Sequence, residues 1–163
     1  MMDFRLACFR AQSIAGMAMV GGALPQELAA ECMPERPVRL LMINGTKDPL
    51  VPYKGGRSAS GFRTMSVEKT AALWAKMNNC DSKPHKVKQK AQDGGKPLAI
   101  TSWNGCAQAS GVRLIALAGA GGAWPGGGYQ PDARFGPTSH AVNASTAMGQ
   151  FLQEGAAHTA ERR

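Results

Sequence analysis

The 163-residue chain is long enough for one domain and one core, and 44% apolar with 18% charged residues describes a globular protein, not a coiled coil or a disordered tail. The net charge of +8 favours acidic partners, but the 19 Lys and Arg are spread widely and no helix-turn-helix, zinc-finger or aromatic stacking pattern accompanies them, so no nucleic-acid partner is expected. No stretch reaches the roughly 20 apolar residues needed to span a bilayer, which argues against an integral membrane protein.

Residues 2 to 11 read as a short helix with Phe4, Cys8 and Ala11 on one stripe, followed by a buried strand over Ile14 to Val20 that ends at Gly21-Gly22. The same stretch imitates a secretory signal, because Arg5 and Arg10 precede the apolar run to Leu24 and Leu28-Ala29-Ala30 has the small residues of a cleavage site. Asp3, the glycine interruption and Cys8 ahead of the run argue against that second reading. After Pro34 and Pro37, Val38 to Ile43 is the best strand of the chain, closed by Asn44-Gly45. Its unbroken apolarity predicts cover on both faces, as in a parallel sheet.

A Gly- and Pro-rich loop from Asp48 to Gly61 leads to Ser66 as a helix cap, and Val67, Ala71, Trp74 and Met77 then recur at helical spacing. Two extended segments near 85–91 and 98–103 suggest an antiparallel excursion. In the first, Lys86, Lys88 and Lys90 alternate around Val87 and Gln89, the pattern of an edge strand guarded by ammonium groups. Binding of nucleic acid along that basic strand is a lesser alternative. Val112 to Ala118 is the next buried strand, ended by Gly119-Ala120-Gly121-Gly122. A final helix places Ala144, Ala147, Met148, Phe151 and Leu152 on one face, and Gly155 to Arg163 is expected to fray, leaving a single domain over 1–154. This order predicts an α/β fold with a largely parallel sheet, of which only about three core strands can be counted, as in half of something larger.

Cys8, Cys32, Cys80 and Cys106 form no C-x-x-C pair and have no histidine at zinc-finger spacing, so no metal site is expected. Two disulfides in an oxidising compartment and four buried thiols account for them equally well.

Three segments carry a resemblance. Met2-Asp3-Phe4-Arg5-Leu6-Ala7-Cys8 is followed by Ala18-Met19-Val20-Gly21-Gly22 and Leu24-Pro25; Arg36-Pro37-Val38 runs on to Asn44-Gly45-Thr46-Lys47-Asp48-Pro49-Leu50-Val51-Pro52-Tyr53; and Gly119-Ala120-Gly121-Gly122-Ala123-Trp124-Pro125-Gly126-Gly127 closes the set. In this order they resemble the C-terminal half of the polyhydroxybutyrate depolymerase and feruloyl esterase group of α/β-hydrolases: the helix and strand after the G-x-S-x-G-G-M nucleophile turn, the R-P-V strand with its H-G-T-x-D-x-x-V-P-Y turn, and the G-G-G-H-x-W-P-G-G loop. The resemblance implies a partial α/β-hydrolase fold and an ester substrate, a polyester or a feruloylated polysaccharide, cleaved through an acyl-serine without a cofactor.

Residue by residue, it implies Asp48 as the triad acid and Trp124 and Tyr53 as substrate-binding residues. The histidine position of the family corresponds to Gly122, which has no side chain to accept a proton, and Asn44 replaces the histidine of H-G-T-x-D. No G-x-S-x-G occurs, and the chain starts where that turn would just have ended, so the expectation is a truncated protein, inactive as written. His140, His85 and His158 offer no evident substitute. The resemblance further implies pairing of Cys80 with Cys106, leaving Cys8 with Cys32, and an extracellular location. An upstream half or another chain is then needed to cover an exposed sheet edge. The alternative is a non-catalytic module in which Trp124 and Tyr129 form a platform for a polymer or sugar chain.

Overall fold

The computed structural model describes residues 2–90, 95–128 and 132–160, the side chains of 155–160 excepted. The chain opens with helix α1 (Met2–Phe9), whose Phe4, Ala7 and Cys8 are buried, and a short 3-10 turn leads into strand β1 (Gly16–Val20). Helix α2 (Gln26–Glu31) follows Pro25 and buries Leu28. The sequence reading did not expect this helix; its six residues are too few for a clear apolar period. Strand β2 (Arg39–Gly45) is buried over every residue but its first.

Within the Gly- and Pro-rich loop, β3 (Gly56–Arg57) and β4 (Arg63–Thr64) pair as a minimal antiparallel hairpin. Helix α3 (Val67–Met77) is capped as anticipated, with Ser66 Oγ accepting from the Lys69 amide at 3.1 Å. Then come β5 (His85–Gln89), β6 (Leu98–Trp103), β7 (Val112–Leu117) and α4 (Ala144–Ala160). The backbone of α4 is helical to Ala160. Ala144 and Phe151 of α4 are buried, whereas Leu152 is 42% exposed and does not share their core-facing role.

Five strands form one sheet in the order β1-β2-β7-β6-β5. β1, β2 and β7 are parallel, while β6 and β5 join antiparallel, the excursion that the two extended segments suggest, and the sheet as a whole is mixed. Side-chain alternation along β2 explains its continuous apolarity. Leu40 and Met42 point into a core shared with Phe4, Leu24, Val67 and Trp74, and Leu41 and Ile43 into a second core with Leu117 and Phe151. The sheet is thus covered by α1, α2 and α3 on one side and α4 on the other, an α/β layer arrangement.

Two disulfides fasten the helical layer. Cys8 of α1 is joined to Cys32, just past α2, and Cys80, just past α3, is joined to Cys106. The family resemblance implies the second of these pairs, and the first is the pair it leaves. Among the described residues no helix is long and apolar enough to cross a membrane.

Candidate functional site

Because β1, β2 and β7 run parallel, their C-terminal ends lie on one side, and the loops that leave them meet there. Gly21 follows β1 with a φ of +63°, a conformation that glycine adopts without strain, and its amide still donates to the Ile43 carbonyl at 3.0 Å. Past β2, the Lys47 amide donates to the Ala120 carbonyl at 2.8 Å, binding that loop to the one after β7. Gly121 leaves no room for a side chain, since a Cβ there would lie 2.0 Å from the Phe135 carbonyl oxygen. The Gly121 and Gly122 amides donate to the Pro137 and Phe135 carbonyls at 2.7 Å each. The glycine run is therefore a strip of backbone clamped between two other loops.

Asp48 stands at the centre of this convergence. It is only 6% exposed, and its Oδ1 accepts from the amides of Leu50 at 2.8 Å and Val51 at 3.0 Å. A Cβ at Gly122 would lie 2.8 Å from each Asp48 carboxylate oxygen, and one at Gly21 would lie 3.1 Å from Oδ2. The carboxylate thus occupies the space in front of Gly122. A side chain at 122 would meet it first.

Asn44, in the last turn of β2, is 1% exposed. Its Nδ2 donates to the Gly22 carbonyl at 3.0 Å, tying the β1 and β2 ends together, and its Oδ1 has no hydrogen-bond partner among the described residues. Trp124, two residues past Gly122, is 47% exposed, with its indole N–H donating to Ser145 Oγ at 3.2 Å on α4. Tyr53 is half-buried at the start of α3, its hydroxyl donating to Glu68 Oε1 at 3.4 Å and its carbonyl accepting from the Val67 amide at 3.0 Å. Burial, reinforced by the charge of Glu68 and the hydrogen bond to it, pushes the Tyr53 phenol up from 10.0 to about 12.

The histidines are distributed elsewhere. His85 is exposed on β5, three strands away from β2 in the sheet, and His140 is exposed in the loop before α4. His158 falls in α4, its side chain outside the described residues, as is Tyr129. Among the described residues no group of His, Cys, Asp and Glu is placed to hold a metal. Beside the Asp48–Gly122 relation implied by the resemblance, the structure brings Gly21 against the same carboxylate. The only sequence signal for that approach is the glycines that follow each of the three strands.

A mixed α/β sheet with a buried carboxylate beyond the carboxyl ends of its parallel strands has the layout of an α/β protein, a class in which ligands bind at that end. No protein-family model matches the chain. The chain is similar to a protein named "Putative esterase NocK" from Nocardia uniformis subsp. tsuyamanensis, 31% identical over 171 aligned positions that cover 95% of this chain and 48% of the relative. It is also similar to "Feruloyl esterase B" from Piromyces equi, 34% identical over 83 positions, 47% of this chain and 16% of the relative. Both relatives carry esterase names, and the chain spans less than half the length of either.

Proposed function

We propose that the chain is the acid-bearing portion of a carboxylic-ester hydrolase of the polyhydroxyalkanoate depolymerase or feruloyl esterase type, and that it is inactive in the form given. The observation that supports this reading most is the contact geometry of Asp48 and Gly122. The buried carboxylate adjoins position 122 so closely that it must shift to admit a side chain there, and an imidazole at 122 would then be its immediate neighbour, as the histidine of a triad is to its acid. In such an enzyme a serine oxygen attacks the ester carbonyl and the imidazole takes its proton. The carboxylate holds the imidazole in place and stabilises its charged form, while backbone N–H groups receive the oxyanion. Glycine at 122 removes the proton acceptor, and no G-x-S-x-G among the 163 residues supplies the nucleophile. Trp124 and Tyr53 are the proposed substrate contacts, the exposed indole face of Trp124 being the better placed of the two for an apolar chain.

The two disulfides and the esterase names support an extracellular setting. A second reading, a non-catalytic platform for a polymer, rests on the 47% exposure of Trp124 and predicts binding without turnover.

Hydrolysis of p-nitrophenyl butyrate tests the first reading. The chain as given and Gly122→His alone are expected to show no turnover above background. Gly122→His in the reading frame extended upstream to include a G-x-S-x-G segment is expected to restore it. Turnover by the unmodified chain would overturn the assignment of Gly122 as the lost base, and failure of the extended Gly122→His chain would overturn the triad reading of Asp48.

A further inference from the structure

At the opposite end of the sheet, roughly 20 Å from Asp48 along the length of β2, Arg39, the first residue of β2, and Arg113, the second of β7, face one cavity. The cavity measures about 420 Å³ and is lined by Arg39, Arg113, Phe151, Glu154, Trp103 and Asn104 among others. The Arg39 and Arg113 guanidinium carbons stand 4.5 and 5.3 Å from the centre of the Phe151 ring. Both guanidiniums reach the same oxygen of Glu154, at 3.7 and 3.1 Å. Two cations therefore share one carboxylate, leaving a local excess of positive charge beside an apolar wall.

Arg39 is the more deeply placed of the two. Its Nη1 donates to the Ala109 carbonyl at 2.6 Å and its Nη2 to the Phe151 carbonyl at 3.0 Å, but its buried Nε has no acceptor among the described residues. Burial lowers the Arg39 pKa, Glu154 opposes that shift, and Arg113 adds a smaller lowering. The Asp81 carboxylate stands against Gly105, a lining residue, but does not itself line the cavity.

From this geometry we infer that the cavity at the base of β2 and β7 binds a compact oxyanion, a carboxylate or a phosphate group, between Arg39 and Arg113. Planar guanidiniums offer forked donors that match either anion, and Phe151 gives a wall to a small apolar tail if one is attached. Glu154, 46% exposed in its side chain, is the built-in competitor that an arriving anion displaces.

The probes are inorganic phosphate and butyrate, titrated calorimetrically into the full chain at constant ionic strength set with chloride. One of the two is expected to saturate a single site in the low-millimolar range, and which one does so identifies the source of the anion. Arg113→Gln, at a position one third exposed in its side chain, is expected to weaken that binding about tenfold. Glu154→Gln is expected to tighten it several-fold by removing the competing charge, and this variant decides the matter if Arg113→Gln does not fold. The inference is overturned if neither probe saturates in the unmodified chain or in Glu154→Gln, or if Glu154→Gln binds no more tightly than the unmodified chain.

Discussion

Asp48 carries two obligations that pull in the same direction. Its Oδ1 closes the turn after β2 by accepting two amides, and that turn aims the carboxylate at Gly122. A carboxylate in this position persists for structural reasons whether or not an imidazole faces it. Tyr53 is a different case, because its phenol is paired with a carboxylate on α3 and pushed up to about 12. The raised value means that the fold binds the phenolic proton more tightly than the unfolded chain does. Its contribution to stability is complete below pH 10.0 and is lost as pH rises toward about 12. Thermal melts taken across that interval should fall more steeply for the unmodified protein than for Tyr53→Phe. Parallel slopes would show that Tyr53 is not the titrating group.

Among the elements, α3 is fixed by more than its apolar stripe. Trp74 packs on Phe4 at a centroid distance of 5.6 Å, and its indole N–H donates to the Val38 carbonyl at 2.8 Å. One turn later Asn78, 1% exposed, accepts from the Val38 amide at 3.1 Å and donates to the Val38 and Ser110 carbonyls at 2.8 and 2.7 Å. A single side chain thereby completes the backbone hydrogen bonding ahead of both β2 and β7. Asn78→Leu leaves the Val38 amide and the Ser110 carbonyl buried without partners and is expected to cost about 2–5 kcal/mol in urea denaturation. A cost below about 1 kcal/mol would mean that water replaces the amide there. The sequence marks the helix through Val67, Ala71 and Trp74, but Asn78 reads there as nothing more than a helix terminator.

The whole molecule presents two sheet edges of opposite character. The β5 edge carries exposed His85, Lys86 and Lys88, charges that discourage pairing with another strand. The β1 edge, Gly16 to Val20, carries none, and among the described residues no strand pairs with its outer side. Exposed Met2, Leu6 and Phe9 on α1 add apolar surface. We propose that the β1 edge is completed by a further strand, from a longer form of the chain or from a second molecule. Since the Gly21 amide points toward β2, alternation turns the Ala18 and Val20 amides outward. Ala18→Pro therefore blocks the outer edge without removing a β1–β2 bond. Sedimentation velocity is expected to show concentration-dependent association that Ala18→Pro reduces; a monomer at every concentration would mean that the edge needs no cover.

What the sequence determined on its own is whatever is encoded locally. Continuous apolarity at Val38–Ile43, helical spacing from Val67, the Ser66 cap and alternating lysines each act over one element, and each appears in the structure at its expected place. The Asp48 loop and the Gly122 loop were legible as separate motifs, but their contact was visible only through resemblance to esterases. Tertiary structure alone decided the strand order β2-β7-β6-β5 and that Gly121 is wedged against Phe135. It also brought Arg39 and Arg113 together beside Phe151. The reason is physical. Residues 39, 113 and 151 share no local period, and only pairing β2 with β7 and laying α4 across them makes neighbours of side chains that the linear pattern keeps far apart.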